Sequence, residues 1–311
     1  MSSTPAPGLA AAATTVPDED KQTDKQREVS GRSPGRASTA VKIALIVVCL
    51  LWTIPTFGLL VSSFRDEQAV ADSGWWTVFA SPLEFSQWTL QNYSDVLFDG
   101  GMGNAFLNSI VVAVPATILP IMVAAFGAYA FTFMRFPGRD LLFVLVVGLL
   151  VVPLQVALIP LLQIFNDVGI QGSFLSVWLA HTGFGMPLAI YILRNYMASL
   201  PRSIIESAEV DGASHFRTFW SLIMPMSVPA LAAFAIFQFL WVWNDLLVAL
   251  IFLQTDTPVV TSQLRNLIGE LGQEWHLLTA GAFISITVPL IVFFALQRFF
   301  VRGLTAGSVK G

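Results

Sequence analysis

Six apolar runs, at about residues 42–63, 105–133, 140–165, 174–196, 219–253 and 279–300, leave this chain few ways to fold. A helix gains about 1.5 Å per residue, so roughly 20 apolar residues cross the hydrocarbon of a bilayer, and each run is long enough. Several are longer than that minimum, which predicts tilt, kinks or protruding ends. The chain as a whole is 55% hydrophobic and only 12% charged, with a mean hydropathy of +0.70, outside the range of soluble domains. Pro115, Pro120, Pro153, Pro160, Pro187, Pro225, Pro229 and Pro289 fall in or at the ends of the runs. In lipid such prolines are tolerated only where neighbours satisfy the freed carbonyls, which predicts an all-α membrane protein with six packed transmembrane helices.

The positive charges set an orientation. With the N-terminus inside, the inner segments hold Lys21, Lys25, Arg27, Arg32, Arg36, Lys42, Arg135, Arg139, Arg194, Arg202, Arg217, Arg298, Arg302 and Lys310. Of the 16 basic residues only Arg65 and Arg265 are left outside, so both termini are expected in the cytoplasm. Residues 1–40, rich in Ala, Ser, Thr, Pro and charge, read as a disordered cytoplasmic tail. A signal peptide does not fit, because the first apolar run starts after that tail, is long enough to span and ends without a small-x-small site.

The outer loop at 64–104 carries six acids against Arg65, together with Trp75, Trp76, Trp88 and Tyr93. It reads either as an interfacial anchor or as a docking surface for an external partner. The segment between Gln254 and Thr279, with Arg265, Glu270, Glu274, Trp275 and His276, invites the same two readings.

No motif in the sequence carries catalysis. There is no GxxxxGK[ST] loop to cradle a nucleotide, no GxSxG, HExxH or CxxC, and the three histidines lie on three different segments. The single cysteine, Cys49, sits in an apolar run and reads as packing. No nucleic-acid partner is suggested. Energy for any active transport has to come from a partner or an ion gradient.

One stretch between apolar runs cannot lie in hydrocarbon. Residues 201–225, PRSIIESAEVDGASHFRTFWSLIMP, carry Arg202, Glu206, Glu209, Asp211, His215 and Arg217. Pro201 suits the first turn of a helix, and Ser199 is positioned to accept from the free amides. In that helix Ile204, Ile205 and Ala208 share one face and Arg202, Glu206 and Glu209 another. Asp211-Gly212 then ends it, because glycine readily takes a positive φ. The helix reads either as resting on the lipid interface or as a knob that enters a groove on another protein.

Glu206-Ser207-Ala208-Glu209-Val210-Asp211-Gly212-Ala213, with Leu222-Ile223-Met224-Pro225 beyond it, resembles the EAA loop of binding-protein-dependent ABC transporter permeases. Ser207, Leu222 and Met224 depart mildly from that pattern. Val152-Pro153-Leu154 through Pro160, Trp243-Asn244-Asp245, and the C-terminus from Phe300 to Gly311 are similar to the MalG-type sugar permeases. The resemblance implies a type I importer permease (MetI-like) fold with a cytoplasmic coupling loop at 199–218. It also implies a MalF-like second permease subunit, two MalK-like ATPase subunits that bind ATP and magnesium, and an extracytoplasmic sugar-binding protein. The chain itself would hold no cofactor and would not be an enzyme.

By that resemblance Ile204, Ile205, Glu206, Ala208, Asp211, Gly212 and Ala213 dock on the ATPase, and Gly303, Leu304, Thr305, Ala306 and Gly307, in a tail at 301–311, also reach it. The C-terminal match favours a maltose-like or other α-glucoside as substrate. Polar residues inside spans are costly, which makes Gln155, His181, Gln238, Asn244 and Asp245 candidates for a substrate path. For Asp245, a structural role with Asn244 in hydrogen bonding across helices is the alternative to sugar contact. An ion-coupled secondary transporter and a non-transporting membrane receptor or assembly subunit remain the competing functions.

Overall fold

The computed structural model describes residues 38–82, 84–268 and 274–306, with side chains through Gln297. The expected tail up to residue 37, Glu270, Gly307 and Lys310 lie outside the described residues, whereas Thr39 and Ala40 already open a helix. The chain divides into two units, Met1–Thr56 and Phe57–Gly311. In the first, the described residues from Thr39 onward begin α1 (Thr39–Ser63), where the Thr53 hydroxyl donates to the Cys49 carbonyl at 2.7 Å.

The second unit contains α2 (Met102–Phe133), α3 (Arg139–Gly148), α4 (Leu154–Asp167), α5 (Phe174–Ala198), α6 (Arg202–Val210), α7 (His215–Trp243), α8 (Leu247–Phe252), α9 (Val260–Asn266) and α10 (Trp275–Ala306). No strand occurs among the described residues. Helix α2 is the centre of the packing and lies against α5 and α7. Sequence accounts for this: Ala105, Ala113, Ala116, Ala124, Ala125 and Ala128 are fully buried along it, and such small side chains let helix backbones approach closely where no water drives them together. The faces turned away from this core are apolar as well. Leu107, Ile118, Leu141, Val144, Ile291 and Phe294 are all more than half exposed, a surface made for lipid.

The core has two halves. One gathers Tyr129, Leu193, Ile205 and Phe219 at the end that carries residues 199–218. The other gathers Met102, Val112, Leu158, Trp243 and Phe252 at the end that carries the 64–101 loop.

The third and fifth apolar runs are not single helices. The third breaks between α3, prolonged by the turn Leu149–Val151, and α4, with a bend of 104°. Pro153 has no amide proton to continue the helix and holds Val152 extended (φ −71, ψ 117). The bent pair still crosses from one end of the unit to the other. Phe143 of α3 lies under Arg194 in the first half of the core, while Phe165 of α4 meets Phe252 in the second, and the Gly172 amide donates to the Phe252 carbonyl at 3.0 Å. Counted this way, six stretches among the described residues are long and apolar enough to cross a membrane. The fifth run ends as a helix at Trp243 and restarts as α8.

Arg65 organises the loop after α1. Only 4% exposed, its guanidinium donates to the Gly74 carbonyl and to the Ser73 and Thr77 hydroxyls, while Asn92 donates to the Ser63 and Arg65 carbonyls. Three neutral groups thus serve a buried cation that has no carboxylate partner among the described residues.

Candidate functional site

Helix α6 is built much as its residues suggest, with one change at its start. Pro201 (φ −60, ψ 122) stands at the N-cap and no side chain caps the helix; the Ser199 hydroxyl donates instead to the Tyr196 carbonyl, so the expected cap by Ser199 is not formed. Competition from the preceding helix end explains it, since Ser199 closes α5 before α6 begins. At the other end Gly212 has φ +69, its amide donates to the Glu209 carbonyl at 3.0 Å, and the Ala213 amide reaches back to Ala208 at 2.9 Å. This pair of bonds is a Schellman motif, and it gives the Asp-Gly-Ala sequence a physical reason: only a residue without a Cβ takes the left-handed position at little cost.

Burial divides the expected docking residues. Ile205 and Ala208 are 8% and 6% exposed and face the chain's own core, with Ile205 in the cluster that holds Phe219 and Leu193. Glu206, Asp211 and Gly212 are exposed, and Ile204 and Ala213 are partly so. The apolar side chains left bare are Val210 (88%) and Phe216 (69%), neither of which stood out in the sequence because apolar spacing alone does not say which face is occupied. Under α6 a hollow of about 650 Å³ is lined by residues that include Ile204, Ser207, Asp211, Ala213, Arg217 and Leu222.

After the loop, the Ser214 side chain caps the first turn of α7 by accepting from the Arg217 amide at 3.4 Å. That turn presents His215 to Tyr129 of α2, whose hydroxyl lies 3.0 Å from His215 Nδ1. Near this end of α2, Thr132 bonds back to the Ala128 carbonyl of its own helix while Tyr129 bonds another element, a signal visible in the sequence as a phenol inside an apolar run.

The candidate substrate-path residues do not line one route. Gln155 and Asn244 are exposed, and Asn244 donates to the Leu240 carbonyl of its own helix at 2.7 Å, not across helices. Gln238 is buried and donates to the Ala116 carbonyl at 3.2 Å, tying α7 to α2. Asp245 accepts from the Val248 and Ala249 amides at 2.9 and 3.3 Å and so starts α8, and Oδ2 lies 3.8 Å from Nε2 of the buried His181. The gap beside this pair has about 10 Å³ of room, enough for one water and far too little for a sugar ring. Of the expected tail residues, Gly303 to Ala306 continue α10 as helix and Gly307 lies outside the described residues.

Residues 116–306, which run from the middle of α2 to the end of α10, match the family described as "Binding-protein-dependent transport system inner membrane component". The chain belongs to that family. The resemblance read from the EAA stretch, the Trp-Asn-Asp triplet and the C-terminus is thereby borne out, as is the all-helical permease fold. The "Osmoprotective compounds uptake permease protein GgtD" of Synechocystis sp. is 60% identical over 272 residues, covering 87% of this chain and 91% of that protein. The "Alpha-glucoside transport system permease protein AglG" of Rhizobium meliloti is 46% identical, covering 91% and 99%. Among solved structures, a chain from a bacterial ABC transporter involved in import of the acidic polysaccharide alginate matches with a TM-score of 0.58 at 14% identity, covering 91% of this chain and 99% of that chain; it agrees in fold.

Proposed function

We propose that this permease is one of two membrane subunits of an ATP-driven importer for a small α-glucoside, with α6 as the coupling helix. The reading rests on one observation: a charged, amphipathic helix whose apolar residues Ile205 and Ala208 are held by the chain's own core while Glu206, Val210, Asp211 and Phe216 stay free. A partner of complementary shape can grip that free face, and the buried face passes the movement to α5 and α7. The distribution of positive charge supports a cytoplasmic position for α6, where two ATPase subunits would bind ATP and magnesium. Closure of the ATPases would then rock the crossings between inward-open and outward-open states, which requires the partner to bind α6 more tightly in one state than in the other.

The substrate class comes from the relatives. One is named for osmoprotective compounds, a second for alpha-glucosides, and a 32% identical protein of Thermococcus litoralis for trehalose and maltose. A small α-linked sugar that also serves as a compatible solute satisfies all three names. A MalF-like second permease supplies the missing wall of the path, since the His181 and Asp245 gap is too small, and an external binding protein delivers the sugar.

The test is reconstitution of the four-part importer in vesicles, with hydrolysis measured as the loaded binding protein is added. Trehalose- or maltose-loaded binding protein should raise hydrolysis, and Glu206→Lys should abolish the rise while the chain inserts at normal yield. Uptake that follows an ion gradient and persists without ATP would overturn the reading in favour of a secondary transporter.

A further inference from the structure

We infer that the hydrogen bond between Tyr129 and His215 is the register-fixing link through which the coupling stretch moves α2, making both positioning residues for transport. The inference rests on the function proposed above for α6.

Between residues 201 and 217 the described side chains make one hydrogen bond to another element, that of His215 to Tyr129. The others are local: Ser207 donates to the Ser203 carbonyl and Ser214 accepts from Arg217. Ile205 and Ala208 hold the stretch by apolar contact, which is not directional and lets one helix slide on another. A hydrogen bond weakens steeply as its distance and angle change, so it fixes register.

The pair is well placed for this. Tyr129 is 4% exposed and wedged by Phe219, with rings 5.4 Å apart and nearly perpendicular, while Phe126 stacks on Phe219 at 4.6 Å. The phenol therefore cannot swing away from His215 without disturbing that packing. With the imidazole proton on Nε2, the hydroxyl donates to Nδ1.

The far end of α2 is bonded just as specifically. The Asn108 amide donates to the Pro258 carbonyl at 2.9 Å, and the Ser109 hydroxyl accepts from the Val260 amide at 2.8 Å. Twenty residues of helix, about 30 Å, separate Ser109 from Tyr129. Helix α2 is thus pinned at one end to the stretch that would receive force and at the other to the segment leading into α9, and the bond to His215 completes the connection.

The experiment compares Tyr129→Phe, His215→Ala, the double variant and His215→Asn, whose amide can take the place of Nδ1, in the reconstituted importer. Each single loss should lower the maximal hydrolysis evoked by loaded binding protein by roughly two- to tenfold, the range of one hydrogen bond. The half-saturating binding-protein concentration should not change. The double variant should be no worse than the poorer single, and His215→Asn should keep most of the activity. Singles at the wild-type level, or a double loss equal to the product of the two, would overturn the inference. Failure of the wild-type importer to respond would count against the proposed function instead. For that case, hydrogen exchange on the isolated chain tests the link independently: Tyr129→Phe should speed exchange at residues 215–219, and unchanged exchange would sink it.

Discussion

At the scale of single residues, Gly212 shows how a motif letter becomes a conformation. Its φ of +69 is closed to most side chains, yet nothing lies within 4 Å of where a Cβ would be, so the cost of a substitution is torsional and not steric. Gly212→Ala should cost about 1–2 kcal/mol locally, from the left-handed backbone alone. Amide exchange at Gly212 and Ala213 should then accelerate by roughly five- to thirtyfold, while Gly212→Asn should lose less because asparagine tolerates that region. Gly185 presents the opposite case. A Cβ there would come within 2.7 Å of the Gln238 amide, so Gly185→Ala should destabilise α5 against α7, and adding Gln238→Ala should recover part of the loss in a thermal melt. Gly212 was legible in the sequence because its neighbours form a motif. The partners of Gln238, Tyr129 and Asp245 were not, since those bonds join residues more than 60 positions apart or depend on where a helix breaks.

At the scale of elements, hydropathy located every apolar run but not its shape. A window average cannot distinguish a straight run from one bent by 104°, although Pro153 contains the information: it lacks an amide, and Val152 before it is pushed out of the helical region. Other prolines, such as Pro115 and Pro120, sit within continuous helix, so proline alone does not decide. What separates Pro153 is packing on its far side, where Leu158 and Phe165 are drawn into the core beside Phe252. Removing the proline tests how the two causes divide the task. With Cys49 replaced by serine and spin labels at positions 142 and 164, the bent pair should give about 20 Å, against about 33 Å for a straight helix. Pro153→Ala should broaden the distribution towards longer distances without abolishing the short one; a distribution that does not move would assign the bend to packing alone.

At the scale of the molecule, the decisive quantity is the parity of the crossings. If the bent pair returned to the side it started from, the charge-rich stretch at 201–217 would fall on the same side as the acidic loop after α1, against the distribution of positive charge. The contacts oppose that arrangement: Gly172 meets Phe252, and Gln263 donates to the Gly100 carbonyl, which gathers the loops after α1, α4 and α8 at one end, whereas α6 packs with Tyr129 and Leu193 at the other. Each site can be probed with a single cysteine in the Cys49→Ser background and a membrane-impermeant maleimide on intact cells. Cysteines at Gln171 and Asp256 should both be labelled from outside, and cysteines at Asp140 and Glu206 only after the membrane is opened. Labelling at 171 and 140 from the same side would make the bent pair a re-entrant loop. It would place α6 outside the cell and remove the coupling function proposed for it.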